Sequence, residues 1–219
     1  MKSKLYLIRH GQSIYNLENR FTGWKDVDLT ELGTSQAKEA AKLLQDESFD
    51  LAFTSNLYRA QKTLDIILGE LNMSLDVIKN EALNERDYGD LVSQNKSEAA
   101  EKFGEKQVQI WRRSFDTPPP GGESLKMTLE RTLPYFNSDI KPHLSDGKNI
   151  ILSAHGNSIR SIVMDLFNYS SDQILETEVG WCEPLVYTFN DNLEVIDFEL
   201  KKRPSEPSKS HFPEYKLSN

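Results

Sequence analysis

The chain has 219 residues, of which 37% are hydrophobic and 27% are charged. This balance is typical of a globular domain rather than a disordered chain, and no stretch is apolar enough for a membrane helix. The net charge of −8, from 26 basic and 34 acidic residues, argues against nucleic acid as a partner, so an anion site would have to concentrate its cations locally.

The N-terminal residues lack the long apolar region and the small-residue cleavage site of a signal peptide. Cys182 is the only cysteine, which excludes an internal disulfide and fits a reducing compartment. We therefore expect a soluble cytoplasmic protein that has no membrane partner.

Strands and helices are predicted to alternate along the chain. The pattern of apolar residues predicts strands over residues 4–8, 50–54, 75–78, 149–154, 185–189 and 195–198. It predicts helices over residues 31–44, 56–71, 96–103, 105–113, 123–143 and 158–167. Thr30 is a candidate N-cap for the first of these helices, and Pro134 should kink the helix over 123–143 before Pro142 stops it.

This alternation predicts an α/β fold in which a mostly parallel sheet is flanked by helices on both faces. A single domain is expected over residues 1–200. Residues 201–219 are polar and lack periodicity, so we expect a flexible C-terminal tail. Ligands of such sheets bind beyond the carboxyl ends of the strands. Two predicted strands end in His-Gly, at His10 and His155, so both histidines should face that crevice.

The first strand ends in Arg9-His10-Gly11. A histidine in this setting can attack phosphorus if arginines neutralise the phosphate oxygens and the ring is held neutral in one tautomer. The alternative is a strand-end histidine that is satisfied by the backbone. Arg59 follows the second strand by one helical turn, where a guanidinium and a helix N-terminus both favour phosphate.

Three further groups are candidates for the same site. His155 could bind a metal, but no suitable spacing of ligands accompanies it, so a second phosphate-facing imidazole is favoured. Glu85 could exchange a proton with a hydroxyl, although a Glu-Arg pair is usually a surface ion pair. Arg112 and Arg113, with Lys96, could hold a second anionic group, although adjacent arginines on a helix are most often solvated.

From about Lys4 to about Phe189, the chain resembles the cofactor-dependent phosphoglycerate mutases of the histidine phosphatase superfamily. Arg9-His10-Gly11 indicates the superfamily alone. The segments that resemble the mutase branch are Asn19-Arg20-Phe21-Thr22-Gly23-Trp24, Asn84-Glu85-Arg86, Asn95-Lys96, Trp111-Arg112-Arg113-Ser114 and Glu123-Ser124-Leu125-Lys126.

The resemblance implies an enzyme of glycolysis and gluconeogenesis that interconverts 3-phosphoglycerate and 2-phosphoglycerate through a phosphohistidine. It implies 2,3-bisphosphoglycerate as the priming phosphate donor, no metal, and small phosphoglycerates as partners. The implied catalytic residues are His10, Glu85, His155, Arg9 and Arg59. The implied substrate-binding residues are Ser13, Asn16, Thr22, Gly23, Tyr88, Lys96, Arg112, Arg113, Gly156 and Asn157. A family tendency toward homodimers or homotetramers is the guide to assembly.

Three alternatives remain open. A histidine phosphatase would transfer the phosphoryl group of small phosphomonoesters to water, but Lys96 and the two adjacent arginines suit a small polyanion held away from water. A binding protein that had lost its chemistry should also have lost part of the reactive set, which is complete. A metal-dependent hydrolase would lose activity to a chelator.

One segment differs from the family pattern, and one group of cations in the tail has no assigned role. Gly180-Trp181-Cys182-Glu183-Pro184 stands where the family usually reads Thr-Gly-x-Pro. The cations Lys201, Lys202 and Arg203 could bring the tail over the pocket when substrate binds.

Overall fold

Six strands form one sheet in the computed structural model, which describes residues 2–217. In chain order they are β1 (Ser3–Arg9), β2 (Leu51–Thr54), β3 (Val77–Lys79), β4 (Ile150–Ala154), β5 (Leu185–Phe189) and β6 (Val195–Leu200). Across the sheet the order is β3-β2-β4-β1-β5-β6. The pairings among β1 to β4 are parallel, whereas β5 runs antiparallel to both β1 and β6. The predicted α/β fold with a mostly parallel sheet is confirmed.

Helices connect most of these strands. Within the described residues they are α1 (Ile14–Leu17), α2 (Glu31–Leu43), α3 (Tyr58–Glu70), α4 (Lys96–Phe103), α5 (Glu105–Arg113), α6 (Leu125–Tyr135), α7 (Lys141–Ser145), α8 (Gly156–Phe167) and α9 (Ser171–Glu176). Thr30 caps α2 as predicted, because its side chain accepts a hydrogen bond from the amide of Gly33. Periodicity does not predict α1 and α9, which are too short to show it. No helix between residues 2 and 217 is long and apolar enough to cross a bilayer.

The helix predicted over residues 123–143, with a kink near Pro134 and a stop at Pro142, differs from the structure in detail. The helix α6 passes into a π-helical segment, Phe136–Ile140, before α7 begins. Pro134 has no amide hydrogen for the helical ladder, so the regular hydrogen-bond pattern is interrupted near it. Pro142 lies in the first turn of α7, where proline is tolerated, and the helix therefore continues to Ser145.

Both faces of the sheet are covered, because successive side chains of a strand point in opposite directions. On one face, Leu5 and Leu7 join a buried cluster that includes residues of α6 and α8. On the other face, Tyr6 and Ile8 join a second cluster with residues of α2 and α3. The sheet is therefore held between two helical layers, and its ends are open for a site.

The strand ends that carry the candidate histidines lie side by side. In the parallel pairing of β1 with β4, Arg9 stands opposite Ala154. In the pairing of β2 with β4, Thr54 stands opposite Ser153. The residues that follow these strands therefore emerge at the same edge of the sheet, as the two His-Gly pairs predict.

The expectation of a flexible tail disagrees with the structure over residues 201–217. Phe212 and Tyr215 pack against the core cluster, and the Tyr215 ring stacks on Phe167 with centroids 4.4 Å apart. The polar composition of the tail hides these aromatic anchors, which bury apolar surface when the chain folds back. Residues 218–219 lie outside the described part of the chain.

The basic residues at the start of the tail do not reach the pocket. Lys201 Nζ lies 3.3 Å from a carboxylate oxygen of Glu47. Arg203 is only 4% exposed and donates from Nε to the Trp181 carbonyl at 3.0 Å. Lys201 and Arg203 are therefore paired elsewhere in this structure, and movement of the tail over the pocket when substrate binds stays a prediction.

Candidate active site

His10 lies just beyond β1 and is 2% exposed. Its Nδ1 is 2.7 Å from the Gly11 carbonyl oxygen, which can only accept, so Nδ1 carries the proton. Nε2 then keeps its lone pair and accepts from Arg59 Nε at 3.3 Å. Burial, followed by the charges of Arg59 and Arg9, holds the pKa of His10 well below its ordinary value. His10 is thus a neutral imidazole whose Nε2 can act as a nucleophile.

Gly11 is needed for packing rather than for contact with an anion. Its amide donates to Thr63 Oγ1 at 3.1 Å, so this N–H is already used. A Cβ atom on Gly11 would lie 2.3 Å from the carbonyl oxygen of Gly33 in α2. The loop after His10 can therefore approach α2 this closely only with glycine.

His155 is the N-cap residue of α8 and is fully buried. Its ring centroid is 5.0 Å from that of His10, and its Nε2 lies 2.7 Å from Ser55 Oγ. Burial, followed by the charge of Arg59, holds the pKa of His155 well below its ordinary value. Nδ1 has no hydrogen-bond partner among residues 2–217.

The Glu85 carboxylate is 8% exposed and is held through one oxygen. Its Oε1 accepts from the Arg86 amide at 2.8 Å, from the Asn157 amide at 3.1 Å and from Asn157 Nδ2 at 2.8 Å. Arg131 Nη2 donates to the Glu85 carbonyl at 2.9 Å and fixes the backbone. Oε2 has no hydrogen bond within residues 2–217, so this oxygen is available to exchange a proton.

Two arginines, the buried Arg59 and the partly buried Arg9, flank the histidine pair. Arg59 is 1% exposed, and its Nη2 donates to the Gly23 carbonyl at 2.9 Å. Burial lowers the pKa of Arg59 to about 10, so it is still a cation at neutral pH. Arg9 donates from Nη1 to the Val179 carbonyl at 2.8 Å and lies against the Trp181 ring, 5.5 Å from its centroid. Its buried Nε has no partner within the described chain.

The structure brings most of the predicted residues into the lining of one pocket. These are Arg9, His10, Asn16, Thr22, Gly23, Arg59, Glu85, Tyr88, Lys96, Arg112, Arg113, Gly156 and Asn157. His155 lies against His10 just behind this lining. Ser13 is fully buried and caps α1, with its Oγ donating to Asn16 Oδ1 at 2.9 Å. Direct contact of Ser13 with substrate stays a prediction, and its visible contact is with Asn16.

The lining also contains residues that the sequence did not single out for binding: Arg20, Phe21, Arg160, Glu178 and Val179. Arg160 follows Asn157 by one turn of α8 and donates from Nη1 to Asn157 Oδ1 at 3.2 Å. The i, i+3 spacing from Asn157 is the signal that could have found it. Glu178 follows α9, an element that periodicity does not predict, so no pattern points to it.

The pocket concentrates positive charge in an acidic chain. Six arginines and one lysine from the described residues line it, against two carboxylates, Glu85 and Glu178. Burial, followed by the charge of Arg112, lowers the pKa of Lys96 to about 8. An anion would relieve the repulsion among these cations, so the pocket is suited to a small polyanion.

No three His, Cys, Asp or Glu side chains within residues 2–217 are grouped so that they could hold a metal ion. A reaction without a metal stays a prediction that chelation tests.

Residues 180–184, which differ from the usual family sequence, support the pocket from behind. The Cys182 amide donates to the Arg9 carbonyl at 2.9 Å. Glu183 is 1% exposed, and its Oε2 accepts from the Ser208 hydroxyl at 3.0 Å and the Ser210 amide at 3.1 Å. The tail therefore anchors the segment on which Arg9 rests.

The fold and the histidine pair together define the class of protein. Residues 5–198 match the family model of the histidine phosphatase superfamily (branch 1). The chain belongs to this superfamily. Among solved structures it is similar to alpha-ribazole phosphatase from Shigella flexneri (TM-score 0.79, 24% identity, 91% of this chain and 96% of the other). It is also similar to phosphoglycerate mutase from Bacillus anthracis (TM-score 0.71, 21% identity, 91% of each chain). At these identities the similarity establishes the fold alone.

Comparison with curated relatives gives a more specific result than comparison with solved structures. A 2,3-bisphosphoglycerate-dependent phosphoglycerate mutase of Parvibaculum lavamentivorans is 51% identical over 203 residues, which cover 91% of this chain and 97% of the relative. A protein of the same name from Nitrobacter hamburgensis is 56% identical over 189 residues, 85% of this chain and 91% of the relative. The predicted resemblance to the phosphoglycerate mutases is confirmed.

Proposed function

We propose that this chain catalyses the 2,3-bisphosphoglycerate-dependent interconversion of 3-phosphoglycerate and 2-phosphoglycerate, a step of glycolysis and gluconeogenesis. The observation that carries this conclusion is the neutral His10, whose Nε2 lies beside the buried Arg59, with Arg9 and Glu85 in the same pocket. Relatives at 51% and 56% identity over most of the chain share the name of this activity.

The residues present fit a bisphosphorylated three-carbon acid. Arg9 and Arg59 suit the phosphate that is transferred, since they flank His10 and Arg9 Nε is a buried donor without a partner. Lys96, Arg112 and Arg113, which line the same pocket, suit a second anionic group. When bound, 2,3-bisphosphoglycerate supplies the phosphoryl group that loads His10.

His10 and Glu85 divide the chemistry between them. The Nε2 lone pair of His10 forms a bond to phosphorus while the bond from phosphorus to the glycerate oxygen breaks. The Glu85 carboxyl gives its proton to that leaving oxygen, and in the reverse direction its carboxylate takes the proton of the attacking hydroxyl. The Gly11 carbonyl stabilises the positive charge that develops on the His10 ring, through Nδ1–H. Arg9 and Arg59 neutralise the oxygens of the transferring group.

A histidine phosphatase that acts on small phosphomonoesters is the second candidate, because it needs the same His10 and the same arginines. The two activities differ in the acceptor of the phosphoryl group. The cations of α4 and α5 favour the mutase, since they can retain the anionic glycerate in the pocket while its C2 and C3 oxygens exchange places beside His10.

A coupled enolase assay on 3-phosphoglycerate tests the proposal. We expect turnover that depends on catalytic 2,3-bisphosphoglycerate and disappears in His10→Ala. The matched control is His211→Ala, since the His211 side chain is exposed and does not line the pocket. Steady release of phosphate from phosphomonoesters, without isomerisation, would establish the phosphatase instead.

The cytoplasmic location and the homodimeric or homotetrameric assembly stay predictions. Sedimentation velocity measures the oligomeric state directly.

A further inference from the structure

Glu178 places a carboxylate in a pocket that is otherwise built for anions. It lines the pocket after α9 and pairs with Arg113, the last residue of α5. The side chains of Arg113 and Glu178 are 42% and 43% exposed. No other hydrogen bond of the Arg113 guanidinium occurs within residues 2–217, so this pair alone holds it. An ion pair with this exposure contributes little to stability, so another anion can displace it.

The backbone of Glu178 is fixed by the C-terminal tail. The Glu178 amide donates to the His211 carbonyl at 2.9 Å, and the His211 amide donates to the Glu178 carbonyl at 2.9 Å. Tail residue Ser210 is in turn bonded to buried Glu183. The backbone of Glu178 is therefore held at the pocket independently of Arg113.

The charge of Glu178 reaches beyond its ion-pair partner. It interacts electrostatically with Arg9, Arg112 and Arg160, which all line the pocket. In the pocket without a ligand, Glu178 therefore neutralises part of the positive charge. When an anion enters, the same carboxylate opposes it.

We infer that Glu178 is an internal competitor for the anionic group of the ligand that binds Arg113. This inference rests on the proposed function, which assigns Arg113 to the outer anionic group of a phosphoglycerate. Binding must exchange one ion pair, between Arg113 and Glu178, for another, between Arg113 and the ligand. The exchange weakens ligand affinity and accelerates release. It also leaves Arg113, and with it the end of α5, paired at both stages.

A merely structural role for Glu178 makes the opposite prediction. If the carboxylate only positioned Arg113 for the ligand, its neutralisation would loosen the guanidinium and weaken binding. The competitor role predicts that neutralisation strengthens binding. The sign of the change in affinity therefore decides between the two.

Glu178→Gln tests the inference, with Glu176→Gln as the matched control because Glu176 is exposed on α9 and does not line the pocket. Titration calorimetry with 3-phosphoglycerate should show binding at least about threefold tighter in Glu178→Gln, as expected for the removal of one nearby like charge. In the coupled assay KM should fall by a similar factor, while kcat does not rise. Unchanged or weaker binding would overturn the inference.

The double variant Glu178→Gln, Arg113→Gln separates competition from general repulsion. If Glu178 acts through Arg113, the gain from Glu178→Gln should shrink to less than half in the Arg113→Gln background. A gain that persists undiminished would contradict the exchange of ion pairs.

If the proposed function itself is wrong, the assays give a different set of results. The wild type would then lack isomerase activity and would not bind 3-phosphoglycerate. Titration calorimetry with inorganic pyrophosphate, a small polyanion, would still compare the anion affinity of Glu178→Gln with that of the wild type.

Discussion

The two walls of the pocket are built in different ways. We call His10, Arg59, Glu85 and His155 the sheet side, because these residues follow strands or strand-linked loops and are at most 8% exposed. We call α4 and α5 the helical arm, which supplies Lys96, Arg112 and Arg113. Within the described residues, α4 buries only Ala99 and α5 buries only Val108.

This difference in burial suits the two tasks of the pocket. Proton and phosphoryl transfer need atoms held to within a fraction of an ångström, and the sheet side supplies them through buried hydrogen bonds. A ligand must enter and leave, and an element with little buried apolar surface opens at low free-energy cost. We therefore expect substitutions on the sheet side to lower kcat and substitutions on the helical arm to raise KM.

Glu85→Gln should have the largest effect, because it removes the only proposed proton carrier. Gln can still accept the hydrogen bonds that Asn157 and the Arg86 amide give to Oε1, so the fold should be retained. We expect kcat to fall by about 10²–10⁴-fold with little change in KM. Steady-state kinetics together with circular dichroism measures both. A kcat within a few-fold of wild type would exclude Glu85 from proton transfer.

Glu183→Gln should weaken the support of the sheet side behind Arg9. The buried carboxylate accepts hydrogen bonds from Ser208 and Ser210 of the tail. Hydrogen bonds to a charged group are stronger than those to an amide, so the free energy of unfolding should fall by about 1–3 kcal/mol. Urea denaturation measures the loss, and exposed Glu176→Gln is the control. Equal stability of the two variants would mean that the tail does not anchor this segment.

Arg112→Gln should test the helical arm. Removal of one of three cations from the wall that faces the outer anion should raise KM about tenfold, with a smaller effect on kcat. Lys106→Gln is the matched control, since Lys106 is an exposed cation of the same helix and does not line the pocket. If Arg112→Gln lowered kcat and left KM unchanged, the division between the two walls would be wrong.

Substitution of Lys96 should have the smallest effect on the kinetics, and the charge of Lys96 should give KM a characteristic pH dependence. Burial, then the charge of Arg112, lowers its pKa to about 8, so it loses its charge as the pH rises through that value. We expect KM to increase several-fold between pH 7 and pH 9, because the uncharged amine attracts an anion less. In Lys96→Met this increase should be absent and KM at pH 7 should be higher. A wild-type KM that is flat over this range would contradict the assignment.

The sequence predicts the sheet side well, for a physical reason. The two His-Gly pairs follow strands that are predicted to be parallel, and parallel strands bring their carboxyl ends to one edge. The partners of these residues are harder to predict. Ser55 hydrogen-bonds His155 from 100 positions away in the chain, and no local pattern records such a contact.

The structural features that the sequence does not predict share one cause: they depend on packing between segments that are distant in the chain. The tail reads as polar, yet Phe212 and Tyr215 secure it to the core. Glu178 acquires its place through backbone pairing with His211, and Arg160 through the Ile174 carbonyl. Propensity and periodicity describe neighbours in sequence, so they do not report these contacts.

The most direct test of the central claim is to follow the phosphoryl group on His10. The enzyme is phosphorylated with ³²P-labelled 2,3-bisphosphoglycerate, freed of ligand, and then mixed with 3-phosphoglycerate or with buffer. We predict an acid-labile label on His10 that is transferred to the phosphoglycerate much faster than it is released to water. Release as inorganic phosphate at the same rate with and without 3-phosphoglycerate would contradict the account and indicate a phosphatase.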